Sequence, residues 1–350
     1  MLSYRNKILR YNHKLFDKAI TPPRPLYRIR VRTNDGESPD ISPARSTADF
    51  IVPVGNGIYD VFKYDSDLSK ILYLSRNTEE IIEADINGVK NLTDAFSGCW
   101  KLKYVNNFDT STVENMSGTF RECILLTETL DLNTSKVTNM HDMYMNCTGI
   151  TTINQFDTSK ATNMSGMFGY TRASSCPLLD TSSCTNMEAM FYASRITSLP
   201  LFNTSNVTNM WQFIAYNRYI EQVPAFDLHN VKIAQNMFRE CTALRSLPDY
   251  NLSSCYDMVW MCYGCTSLTA LPNFTIGTYP IQPYNMGLEC KETFSGCTNV
   301  ASGITRMYNK LAAAVMPGET PSPYSGCFYN CGSNTTSGAA ELAQIPDDWK

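Results

Sequence analysis

The 350-residue chain has no run of 18 apolar residues, so no segment is long enough to cross a membrane as a helix, and no membrane insertion is expected. It has little surplus charge. Lys and Arg number 29 against 33 Asp and Glu, a net of −4, too mild for a chain that binds nucleic acid as a whole. The opening "MLSYRNKILRYNHKLF" lacks the apolar core of a secretory signal peptide, because Arg5, Lys7, Arg10 and His13 interrupt it. Folding in a cytoplasm is the expectation that follows. Histidine is scarce: His13, His141 and His229, none in a catalytic signature. GxSxG, P-loop, HExxH and Rossmann glycine motifs are missing, and the acids show no paired-carboxylate spacing. The expectation is a protein that is not an enzyme and holds no cofactor.

What the sequence does contain is repetition. "NMSGTFREC" begins at Asn115, "NMHDMYMNC" at Asn139 and "NMSGMFGYT" at Asn163, each 24 residues after the last. With Val113 as column zero, equivalent positions recur at Asp65, Val89, Val137, Ala161, Cys184, Val207, Val231 and Cys255, at steps of 23 or 24. Such a period marks an array in which each unit buries its apolar face on its neighbours. Column three is mostly Met, from Met116 to Met258, and column seven mostly aromatic, from Phe96 to Phe238. Columns three, six, seven and ten follow i, i+3, i+4, i+7, which predicts a helix of about two turns. The column-two Asn residues, Asn91 to Asn209, read as its N-caps. Alternation in "LRSLPDY" and "LTALPNF" predicts a short strand, and "FDTS" at Phe108 and Phe156 a turn.

The expected fold is therefore an α/β repeat solenoid, coils of 23–24 residues each carrying a short helix and a short parallel strand. A basic arm (1–25) and a small β-rich cap (26–64) precede the regular coils (65–278). Degenerate coils and a C-terminal cap (279–350) follow, with "ITRMYNKLAAAV" as an extra helix.

The 13 cysteines dissolve into this register, since twelve fall in columns zero, three, six, seven or ten and replace small apolar residues. "CYGC" at Cys262 resembles a metal half-site, but a second pair is missing, so no metal is expected and the thiols are expected free. More informative are aromatics in columns where the repeat needs none. Tyr192, Trp211, Tyr216, Trp260 and Tyr263 are the candidate ligand-binding residues, with Tyr170 nearby in column nine. Flat faces with a polar edge suit a sugar ring or a protein partner, although exposed aromatics taken singly need no explanation.

"FDTSTVENMSGTFREC" and "FDTSKATNMSGMFGY" resemble the BspA-like, DUF285-type surface-protein repeats, a divergent leucine-rich repeat, over roughly residues 65–331. The resemblance implies adhesion and recognition rather than catalysis. The opening residues, and "AQIPDDWK" at the other end, resemble structural proteins of phages and prophages of gut Bacteroidales. That resemblance implies a virion protein, a head or tail fibre-like appendage that binds a glycan or protein of the host surface. Residues 1–32 hold nine Lys/Arg against one acid, Asp17, a net of +8. Arg5, Lys7, Arg10 and Lys14 are then the candidate contacts of the arm to other virion proteins. The alternative is a cellular bacterial surface adhesin, and self-association is open in both.

Overall fold

The alternating stretch "YRIRVRT" becomes strand β1 (Tyr27–Thr33), with Ile29 and Val31 buried on one face. The computed structural model describes residues 27–39, 48–64, 67–73, 75–106, 108–277, 288–315 and 323–350. The basic arm thus lies outside the described residues. Strands β2 (Phe50–Gly55) and β3 (Ile58–Lys63) form a hairpin through Asn56 and Gly57, whose φ angles of 53° and 71° suit an Asn-Gly turn. Strand β4 (Thr78–Asp85) flanks β1 on its other edge, and β5 (Tyr104–Val105) adds in parallel, giving the order β2-β3-β1-β4-β5. Arg30 donates from Nε and Nη2 to the Asp60 carboxylate at 2.8 and 3.0 Å, which satisfies a fully buried acid. A second, two-stranded sheet pairs β6 (Asn251–Leu252) with β7 (Thr275–Ile276).

The repeats pack as their period requires. Columns three and seven are buried throughout, Met116, Met140 and Met164 completely so. Parallel single-residue bridges join column two from each repeat to the next, from Asp67–Asn91 to Asp257–Glu289. The aromatic side chains of column seven form a ladder. Phe96, Phe120, Tyr144, Phe168 and Phe191 follow one another at 5.4, 5.7, 6.3 and 5.6 Å between ring centroids.

The expected α/β solenoid is not what forms. Among the described residues the α-helices are α1 (Ile304–Ala314), within the segment read as an extra helix, and α2 (Thr336–Leu342). Both lie outside the regular repeats, and the two sheets do not wind a solenoid. In place of each predicted helix the chain makes consecutive turns. Column five and column nine both adopt positive φ: Gly118 and Glu122 at 60° and 62°, Asp142 and Asn146 at 54° and 61°, Ala189 and Ala193 at 50° and 49°. Left-handed residues twice per repeat cannot sustain the i to i−4 bonding of a helix.

The amides are satisfied in alternation instead. Met116, Gly118, Phe120 and Glu122 donate to Asn139, His141, Met143 and Met145 of the next repeat at 2.7–3.0 Å. Between them, Thr119, Arg121 and Cys123 donate three residues back, to Met116, Gly118 and Phe120. A two-turn helix is marginal by itself, whereas this pattern pairs the backbone with its neighbours and buries the same face. A Cβ on Gly118 would come 2.1 Å from Asp94 Oδ1 and would add strain at a φ of 60°, so a side chain there would have to displace that carboxylate.

The column-two Asn residues accordingly cap no helix. Asn115 Oδ1 accepts from the Ser117 amide at 3.0 Å, and Asn139, Asn163, Asn186 and Asn209 repeat the bond. This is an Asx turn, built from the same side-chain chemistry as a cap. The "FDTS" turns and their counterpart "LNTS" at Leu132 add a second link between repeats: Thr134 and Thr158 hydroxyls donate to the Asp157 and Asp180 carbonyls at 2.6 and 2.7 Å.

All 13 cysteines are buried and free. In column ten they are more than fillers. Cys123, Cys147, Cys241 and Cys265 point Sγ at the column-seven carbonyl of the preceding repeat, at 3.0–3.3 Å. Asn217 takes the same place and donates Nδ2 to the Phe191 carbonyl at 2.6 Å. Beyond the repeats, Phe294 and Phe328 continue the aromatic stack to Trp349, which lies 4.3 Å from Tyr324 and edge-on to Tyr308 of α1.

Candidate ligand-binding surface

Columns five, eight and nine flank the fully buried stripe, and their large side chains are half-buried or exposed. The turn geometry brings their side chains together across repeats, because each column-nine amide bonds the next repeat's column-eight carbonyl, as Tyr170 does to Tyr192 and Tyr216 to Arg239. The Tyr170 and Tyr192 rings meet edge-to-face at 5.2 Å, and Tyr192 and Tyr216 at 5.4 Å. The Arg239 guanidinium then lies 5.8 Å from the Tyr216 ring, 5.2 Å from Trp260 and 5.0 Å from Tyr263. Arg239 occupies the repeat between those of Tyr216 and Trp260 and closes a gap that the aromatics alone leave open. The result is one ridge running from Tyr170 to Tyr263.

Four of the five aromatics picked from the sequence, Tyr192, Tyr216, Trp260 and Tyr263, belong to this ridge. Trp211 does not. It is 37% exposed and makes no ring contact among the described residues. Arg239 was the missed member, and its signal was its column, which it shares with Tyr192 and Tyr263. Its Nη1 donates to Asn236 Oδ1 at 3.2 Å, while its buried Nε meets rings rather than an acceptor. Burial, and then the hydrogen bond with Tyr170, push the Tyr192 phenol up to about 12, so it stays a neutral hydroxyl at physiological pH. Arg5, Lys7, Arg10 and Lys14 fall outside the described residues.

A second cluster resembles a catalytic set. His141 Nδ1 lies 2.7 Å from Ser165 Oγ, and its Nε2 lies 3.5 Å from Asp142. Yet Ser165 is buried, and its hydroxyl donates to Asn163 Oδ1 at 2.7 Å. The serine proton therefore points away from the ring, and the histidine donates to the serine instead of activating it. The bond braces two adjacent repeats.

A family model described as "Mycoplasma protein of unknown function, DUF285" matches residues 90–196 and 176–273, together more than half of the chain. The chain belongs to the DUF285 family. No curated protein and no solved structure matches it. The DUF285 match contains the entire ridge from Tyr170 to Tyr263, and also the Ser165–His141 brace. Among the described residues of this DUF285 chain, no group of three or more His, Cys, Asp or Glu side chains is placed to hold a metal ion.

Proposed function

We propose that this DUF285 protein is a non-enzymatic recognition protein, which presents the Tyr170–Tyr263 ridge to a glycan or protein on a bacterial surface. The observation that carries the reading is the ridge itself: consecutive repeats contribute aromatic and guanidinium groups at columns where burial needs none. Each aromatic contact contributes about 0.5–1.5 kcal/mol, so useful affinity comes from several contacts together or from multivalent display. The test is binding to intact host bacteria by Tyr216→Ala/Trp260→Ala, with Trp211→Ala as the comparison. The double variant should lose most binding at unchanged melting temperature, and Trp211→Ala little. Binding by the double variant equal to that of the wild type would refute the reading.

The setting we propose is a phage particle, a fibre-like appendage with residues 1–25 as its attachment arm through Arg5, Lys7, Arg10 and Lys14. This rests on the likeness of the opening and closing segments to Bacteroidales phage structural proteins. DUF285 membership supports a second setting, the surface of a bacterial cell. Mass spectrometry of purified virions separates the two. Presence in particles upholds the first, and recovery in the cell-surface fraction alone upholds the second.

A further inference from the structure

Column eleven lies just past the ridge and carries Arg172, Arg195 and Arg218 in three consecutive repeats, all exposed. Backbone bonds on either side of them hold these repeats in register, Tyr170 to Tyr192 and Thr197 to Ser174, each at 2.8 Å, so the arginines between recur once per repeat. The three arginines therefore form a row of positive charge parallel to the tyrosine row, stepping with the repeat. The step is that of the buried stack, where Phe168 and Phe191 of the same column in consecutive repeats lie 5.6 Å apart.

Like charges recurring at each repeat repel. Among the described residues neither these three arginines nor Arg239 forms an ion pair, whereas Arg28, Arg30, Arg32, Arg121 and Arg245 all do. The acids of the same repeats are engaged elsewhere. Asp180 and Asp227 accept turn amides, Glu221 holds Arg245, and Glu188 accepts from Asn209.

We infer that Arg172, Arg195 and Arg218, beside Tyr170, Tyr192 and Tyr216, form a binding strip for an acidic polysaccharide lying along the stack of repeats. The inference rests on the recognition reading above and names its ligand class. Guanidinium groups bind carboxylates or sulfates through paired N–H donors, and aromatic rings accept the apolar faces of sugars. The strip is one arginine wide on a chain of net charge −4, which disfavours a nucleic-acid duplex spread over a broad basic face. A single anionic chain with a charge at each sugar or every second sugar fits its width and step.

The experiment uses the full chain with two probes, polygalacturonate for carboxylates and chondroitin sulfate for sulfates. Dextran serves as the neutral control and a single-stranded oligothymidylate as the competing polyanion. At least one acidic glycan should bind, weaken as salt rises through counterion release, and bind at least tenfold less to Arg172→Gln/Arg195→Gln/Arg218→Gln. Dextran should bind far more weakly. Failure of both acidic glycans, equal binding by the triple variant, or tighter binding of the oligonucleotide would each overturn the inference. The recognition reading is scored separately. If the triple variant still binds cells while Tyr216→Ala/Trp260→Ala does not, the ridge is a site and the acidic-glycan assignment is wrong. If neither variant loses cell binding, both fail.

Discussion

Ala189→Gly and Ala193→Gly, made singly, distinguish the turn-built repeat from a helix by the sign of one number. Both alanines hold positive φ, 50° and 49°, and donate their amides to the next repeat, at Trp211 and Ala215. An L-residue in the left-handed region costs roughly 1–2 kcal/mol, which glycine avoids. Glycine gives back about 0.4–1 kcal/mol through the greater freedom of the unfolded chain. The expected net is a stabilisation of about 0.5–1 kcal/mol for each variant. In a two-turn helix the same change would destabilise by about 1 kcal/mol. Both residues are only half-buried, so loss of the methyl contact changes this little. The assay is urea denaturation followed by circular dichroism, with midpoints compared at equal slope. A lowered midpoint for both variants would refute the left-handed assignment, and with it the explanation of why no helix forms.

Two further outcomes follow from the packing. Phe168 is fully buried between Tyr144 and Phe191, so Phe168→Ala should cost about 3–5 kcal/mol. Hydrogen exchange should quicken in the flanking repeats and stay unchanged in β1 and β3; uniform acceleration would show that the repeats are not locally coupled. Burial pushes the thiols of Cys99 and Cys147 from an ordinary 9.0 up to about 12 and that of Cys184 to about 11. Because the folded state holds these protons more tightly, stability should be flat below pH 9 and fall as pH rises from 9 toward 12. A urea midpoint unchanged up to pH 11 would contradict the burial of the thiols.

Much of the packing was legible in the sequence and the local conformation was not. The period fixed the buried columns, because an apolar stripe must recur at whatever spacing brings it back to the core. The spacing i, i+3, i+4, i+7 describes that stripe equally well for a helix and for consecutive turns. The distinguishing signal was present in the other columns. Gly118, Asp142, Gly166 and Asn236 in column five, and Gly98, Asn146 and Gly264 in column nine, tolerate positive φ and weaken a helix. The Asn residues of column two misled because an Asx turn and an N-cap use the same carbonyl oxygen. The ridge was half-visible for a different reason. A search for aromatics finds Tyr216 and Trp260 but sees a missing repeat between them, and Arg239 fills it with a guanidinium, which stacks on rings as another ring would.

The hydrogen bonds that join one repeat to the next also set how the protein would bear load. Each regular repeat is held by its two neighbours, so tension between Tyr27 and Lys350 should strip repeats singly rather than open the chain at once. Each repeat of 23 or 24 residues would release about 80 Å of slack at about 3.3–3.6 Å per residue. Stretched at constant speed, a single molecule should give an evenly spaced sawtooth, and one long rupture would argue against stepwise release. A chain released in this way lengthens under load while its remaining repeats stay folded, so it yields before it breaks.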